Sequence, residues 1–286
     1  MVNQTGNIVS VPVAVARDNF KWMIQFFDYQ HRKIYGEKAT SKSVILIQKR
    51  NFRHDVKVES VDWNLTLPYK MVDSAYDMEY NLPDGDRYMA VNLFTAITHV
   101  INDLNDEDYI EILDGDMCHI RSFNSVLPKD NEINADSAYE NWHLFNNSKN
   151  RYVIEKYLKH SEEGYMNGGF NALSKVKVMK QLLPEIIDVA IDIVKTSPNH
   201  LHRWWSCMYA LNVACHNQRI KMISRDDCYY PREGDILTDN MHLAHYSCDP
   251  VFDKRKFPNI NINGFKDNIF YNSAKEWMLL NKYIIQ

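Results

Sequence analysis

The chain has 286 residues, of which 45% are hydrophobic and 24% charged, with a formal net charge of −4. This is the composition of an ordinary globular protein with a sizeable core, and a pI near 6.3 argues against a general nucleic-acid or membrane-surface binder. No basic-then-apolar leader and no bilayer-length apolar run is present, and the five cysteines have no C-x-x-C spacing. A cytoplasmic protein with reduced thiols, and with neither membrane insertion nor nucleic-acid binding, is therefore expected.

The first predicted element is the valine-rich strand "NIVSVPVAVA" (7–16). Asp18 is a plausible N-cap for a helix over 19–35, where Phe20, Ile24, Phe27 and His31 recur at helical spacing. "SVILIQKR" (43–50) reads as a second strand, and residues 51–85 as a polar stretch ending in the turn signal "NLPDGD". A helix from Tyr88 carries Leu93, Ile97, Val100, Ile101 and Leu104 on one face. The strand "YIEIL" (109–113) follows and runs directly into Asp114-Gly115-Asp116. In the second half, "PEIIDVAIDIVKTSP" (184–198) predicts a helix with Pro184 in its first turn, and 203–218 predicts another. "HLAHYSCDPVFDK" (242–254) is aperiodic and rich in metal-competent side chains. No repeat or linker divides the chain. The alternation predicts one α/β domain over 1–286, with a mostly parallel Rossmann-like sheet flanked by helices and an irregular C-terminal half.

Asp114 and Asp116 pose the chemical question. They follow a strand that should be buried, so they sit at the carboxyl end of the sheet, where open α/β folds bind ligands. Two carboxylates one glycine apart repel each other unless a cation or donors offset the charge. Hard oxygen ligands at this spacing suit a divalent ion that also bridges two phosphates, as transfer from a nucleotide-sugar requires. D-x-D triplets are common in acidic loops, and it is the strand placement that favours function.

The surroundings carry a resemblance. "GDRYMAVNLFTAITHVINDLNDEDYIEILDGDM" (85–117) resembles the nucleotide-binding segment of hydroxyproline O-arabinosyltransferases and related peptidyl-serine galactosyltransferases, with its "GD-x-Y-x-A-x-N" and "I-L-D-x-D-M" blocks. "AVARDNFKWMIQFF" (14–27), "WWSCMYAL" (204–211) and "AHYS" (244–247) resemble three further blocks in the same order. These families are similar to GT-A glycosyltransferases. The resemblance implies a nucleotide-binding half over 1–120 and an acceptor-binding half over 121–286. It also implies Mn2+ or Mg2+ on the D-x-D, a UDP-sugar donor with a pentose (xylose or arabinose) preferred, and a hydroxyl acceptor on a glycan or glycoprotein. Without a leader or anchor, the chain is closer to a virus-encoded enzyme, such as the xylosyltransferases with which chloroviruses build capsid glycans.

Carried over block by block, Asp116 is the expected direct metal ligand, and Asp114 meets the metal, its water or the ribose. His245 completes the site, with His242 as its rival; an O,O,N set fits manganese better than calcium. Arg17 and Asn19 fall where the fold grips uracil and ribose, and Asp86, Arg87 and Asn92 are candidates for base or sugar. Gly168 and Gly169 would let backbone approach the donor, with Asn167 and Asn171 donating hydrogen bonds; the alternative is a tight turn. Trp204 and Trp205 are candidates for an acceptor-stacking floor, or for core. The chain departs from the pattern at Cys207, where the families carry glutamate. An inverting transfer, the expected outcome, then needs a carboxylate base from a loop. Asp73 is the candidate, ahead of Asp77, Glu162, Asp226, Asp227 and Asp249; a retaining transfer needs none. The same aspartates would serve a metal-dependent nucleotidyltransferase or phosphohydrolase, whereas a non-catalytic glycan-binding protein would use the tryptophans.

Overall fold

A computed structural model describes residues 6–16, 18–49, 62–73, 92–136, 148–160, 171–231, 236–246, 252–253 and 256–283, with backbone alone at 18, 19, 92, 148–151 and 200. The valine-rich run forms β1 (Ile8–Val15), followed by α1 (Asp18–Tyr35), β2 (Ile45–Lys49), β3 (Tyr69–Asp73), α2 (Asn92–Ile97) and β4 (Tyr109–Asp114). Then come β5 (Met117–His119), β6 (Glu132–Asp136), α3 (Ser148–Glu155), β7 (Ala172–Lys175), α4 (Val176–Thr196), α5 (His200–Trp204) and α6 (Ser206–Asn217). The chain continues with β8 (Lys221–Arg225), β9 (Cys228–Tyr229), β10 (Leu243–His245) and α7 (Ile269–Leu280).

Seven strands form one sheet in the order β3-β2-β1-β4-β7-β6-β8, parallel except for β7. Both halves of the chain therefore contribute to one sheet, and the α/β architecture follows the expectation. A second sheet, β5-β10-β9, is small. β4 shows what sets the register. Ile110 and Ile112 enter the core shared with α2, α4 and α6, while Leu113 enters the core shared with α1, α7 and the small sheet. All three are fully buried, each stabilising by about 1.5–3 kcal/mol. A one-residue slip would exchange the faces and drive Asp114 inward, so packing fixes where the acidic pair emerges.

Four expectations need correction. β3 lies in the stretch read as polar turn; it is the sheet edge, where Tyr69 is 46% exposed, so little hydrophobic signal was required of it. The helix expected from Tyr88 has its first residues outside the described set. Its described part ends at Ile97, and tight turns carry on through Val100 to Ile101–Asp103. The Thr98 hydroxyl donates to the Thr95 carbonyl at 2.6 Å, and β-branched Thr98, Val100 and Ile101 crowd a continued helix. Third, α4 starts at Val176, so Pro184 lies inside it. Burial of Val176, Val178, Met179, Leu182 and Leu183 upstream, at about 1.5–3 kcal/mol each, outweighs the roughly 3 kcal/mol an interior proline costs. The helix expected over 203–218 is two, α5 and α6, separated at Trp205.

Candidate metal centre

The acidic pair stands where the strand order reverses. β2 and β3 extend from one side of β1 and β4 from the other, and Asp114 ends β4 in register with Val13 of β1. Gly115 then turns the chain against α1. A Cβ there would lie 2.9 Å from the Phe20 ring and 3.1 Å from the Val13 carbonyl oxygen, so the tight approach requires glycine at this position. The Gly115 amide donates to Asp114 Oδ1 at 2.7 Å, which fixes the first carboxylate.

The third member comes from far along the chain. β10 runs antiparallel to β5, with His245 opposite Met117, and the Tyr246 amide donates to the Asp116 carbonyl at 3.2 Å. This pairing brings His245 Nε2 to 3.2 Å from Asp116 Oδ1. One ligand atom from each of Asp114, Asp116 and His245 lies within 4.8 Å of the others, the one such grouping among the described residues. An octahedral ion about 2.1 Å from each of two adjacent ligands would set them about 3 Å apart. The spacing and the O,O,N donor set therefore fit a divalent transition metal.

The surroundings of His245 are acid-rich. Burial is the largest influence on His245 and opposes its charged form. Attraction to Asp116, the hydrogen bond with Asp116, and the fields of Asp114 and Asp136 outweigh it and raise the imidazole pKa. Asp136, at the carboxyl end of β6, is buried and accepts a hydrogen bond from the Tyr230 hydroxyl, and the Tyr230 ring lies 5.5 Å from that of His245. Sequence reasoning missed Asp136 and Tyr230; "EINAD" and "CYYP" carry no signal that would have joined them to the pair.

The remaining candidates divide. His242 is fully buried in a separate polar network, with Nδ1 3.2 Å from Asp227 Oδ2 and Nε2 3.4 Å from Glu111 Oε1. Asp227 belongs to the same network, bonded by Arg225 and Ser125. Asp226 is exposed. Asp73 ends β3, 85% exposed and 3.4 Å from Lys49 Nζ. Three strand spacings separate β3 from β4, roughly 14 Å across the sheet, so Asp73 is not gathered into the cluster. Cys207 is buried in α6; burial first, and then the field of Asp114, push its thiol pKa up. Trp204 is 56% exposed whereas Trp205 packs against the core. Asn171 is buried just before β7. The side chains of Asn19 and Asn92, at the starts of α1 and α2, are outside the described set. So are Arg17, Asp77, Asp86, Arg87, Glu162, Asn167, Gly168, Gly169 and Asp249.

Cys118, Cys207, Cys215 and Cys228 are free and buried. Among the described residues, no helix is long and apolar enough to cross a membrane. Neither the protein-family models nor the curated proteins compared with this chain give a match.

Proposed function

We propose that the chain is a metal-dependent glycosyltransferase of the GT-A kind, transferring a sugar, with a pentose preferred, from a UDP-sugar to a hydroxyl of a glycan or glycoprotein. The observation that carries the reading is the meeting of Asp114, Asp116 and His245 at the carboxyl end of β4, beside β1. This is the crevice where an open α/β sheet takes a nucleotide. Asp114, Asp116 and His245 would hold Mn2+ or Mg2+, which when bound neutralises the charge developing on the departing diphosphate. The protein's part is to hold these three groups in fixed register. The Gly115 turn sets the two carboxylates, β10 pairing sets the imidazole, and α1 starts against the same turn through Phe20. The N-terminus of that helix favours an anion there. Burial of Asp116 and His245 keeps the local dielectric low, so each charge acts more strongly than it would in water.

The test is a panel of UDP-sugars (xylose, arabinose, galactose, glucose) assayed for slow hydrolysis with Mn2+ and for transfer to oligosaccharide acceptors. Selective cleavage of one donor, stimulated by an acceptor, supports the reading. Rapid acceptor-independent attack on nucleotides generally would indicate a phosphohydrolase or nucleotidyltransferase. Oligosaccharide binding without any UDP affinity would indicate a glycan-binding protein.

A further inference from the structure

Each member of the triad has a buried companion three residues away in sequence. Glu111 precedes Asp114 on β4, His119 follows Asp116 at the end of β5, and His242 precedes His245 at the approach to β10. These companions meet one another. Glu111 Oε2 is 2.9 Å from His119 Nε2, and Glu111 Oε1 is 3.4 Å from His242 Nε2. The Ser10 hydroxyl donates to Glu111 Oε2 at 2.9 Å. Arg225 closes the group, its Nη2 donating to Glu111 Oε1 at 3.1 Å and its Nε donating to Asp227 Oδ1 at 2.7 Å. Asp227 in turn accepts from the Ser125 hydroxyl at 2.7 Å.

Two features decide what this network can do. The guanidinium of Arg225 stands among the carboxylates, so the network already holds a cation and is no metal site of its own. Residues three apart on a strand are about 10 Å apart along it and face opposite sides, so Glu111 cannot reach an ion held by Asp114. Its action must pass through the strands. β5 and β10 have three residues each, and a pairing that short is marginal alone. The Ile120 amide donates to the His242 carbonyl at 2.7 Å, and the His242 amide to the Asp227 carbonyl at 2.9 Å. The Glu111 carboxylate then ties both short strands, through His119 and His242, to the central strand of the large sheet.

We propose that Glu111 is a positioning residue of the cation site: it locks the register of β5 against β10 and so sets the separation of Asp116 and His245. The proposal rests on the reading of Asp114, Asp116 and His245 as cation ligands. A one-residue slip of β10 would turn His245 to the opposite face, and the carboxylate bridge prevents it.

The experiment measures Mn2+ affinity of the full chain by the loss of the free-ion electron paramagnetic resonance signal, with far-UV circular dichroism as the check on folding. Glu111→Gln should raise the Mn2+ Kd about 10-fold, the low end of what losing a group bonded directly to a ligand costs, because Glu111 acts through the strands. His119→Gln cuts one arm of the bridge while leaving Glu111 paired with Arg225, and should raise Kd in the same direction by less. If Glu111→Gln fails to fold, His119→Gln carries the test. A folded variant of either kind with a Kd within about twofold of the unaltered chain overturns the proposal. An unaltered chain that binds no Mn2+ overturns the cation reading as well, so the two failures are told apart.

Discussion

Glu111 and Asp114 stand on the same strand, one turned to each face of the sheet, and their surroundings differ in kind. Around Glu111, acids and bases are paired: Glu111 and Asp227 face Arg225, His119 and His242, all buried. Burial alone would raise the Glu111 pKa, but His119, His242 and Arg225 outweigh it and hold the carboxyl well below its ordinary value. Around Asp114 the grouped ligands are two carboxylates and a single imidazole. A paired buried set supports structure, and losing one partner from it leaves an uncompensated charge. An acid-rich set at the mouth of a sheet is suited to a cation from outside. Residue type alone therefore does not mark a functional site here; the balance of charge within each group does.

The comparison predicts that triad variants lose binding while the protein stays folded, and that network variants change stability and its pH dependence, weakening metal binding only through the register of β5 and β10. The largest effect belongs to Asp116→Ala. It should abolish metal-dependent UDP binding and lower the thermal midpoint only modestly, because lost repulsion from Asp114 offsets part of the lost contact with His245. A large drop in the midpoint would place Asp116 with the structural group instead.

His245→Ala should raise the Mn2+ concentration for half-maximal activity at least about tenfold more than His242→Ala, since only the first removes a ligand nitrogen. His242→Ala should cost more stability, because it leaves Asp227 and Glu111 short of a buried partner. Reversed rankings in the two assays would exchange the roles of the histidines.

Gly115→Ala sets a Cβ against the Phe20 ring and the Val13 carbonyl. It should destabilise by about 1–3 kcal/mol, as overpacking does, and weaken metal binding by shifting the turn. A Gly115→Ala, Phe20→Leu double variant should recover part of the loss, and denaturant melts would show whether it does.

The last test is the pH dependence of stability without metal. The folded pKa values of Glu111 and Asp227 are depressed from 4.5 and 3.8, so their contribution is complete above about pH 4.5 and declines as pH falls. Buried His31 is pushed from 6.5 down to about 2, chiefly by burial, and His202 is lowered the same way. These two favour the fold above pH 6.5 and lose that contribution as pH falls below it. Burial works against the charged form of His242, but Asp227 and Glu111 raise its pKa overall. Its contribution is complete below pH 6.5 and is lost as pH rises through the folded value. His245 is raised in the same way, so the signs place the stability maximum between pH 6.5 and the raised folded values of His242 and His245. The acid side should fall by at most about 1.4 kcal/mol per pH unit for each titrating histidine. His31→Gln should flatten the slope between pH 4.5 and 6.5, and an unchanged slope in denaturant melts would remove His31 from this account.

The site was legible where packing made it so. An apolar run must be buried, and "YIEIL" alone places Asp114 at a strand end. Gly115 between two acids likewise marks a tight turn. The meeting of Asp116 with His245 depends on β10 lying beside β5, and a three-residue strand leaves no periodic trace in sequence. It was reached only through the resemblance of "AHYS" to a known block. Asp136 ends a short strand of mixed polarity and Tyr230 follows the two-residue β9, and short strands of this kind are also why β6, β7 and β8 vanished into an apparently irregular half. Asp73 shows what the sequence leaves open. Its position before the expected nucleotide helix suggested the acceptor side, but strand order, which sequence does not reveal, sets it on the far edge of the sheet.

The central claim is that the Asp114, Asp116 and His245 cluster binds a divalent cation that in turn holds a nucleoside diphosphate. Isothermal titration calorimetry of the full chain with UDP, in Mn2+ and then in excess chelator, tests it most directly. UDP binding present with Mn2+ and lost with chelator is the predicted result. Equal UDP affinity in both conditions, or no UDP binding in saturating Mn2+, would contradict it.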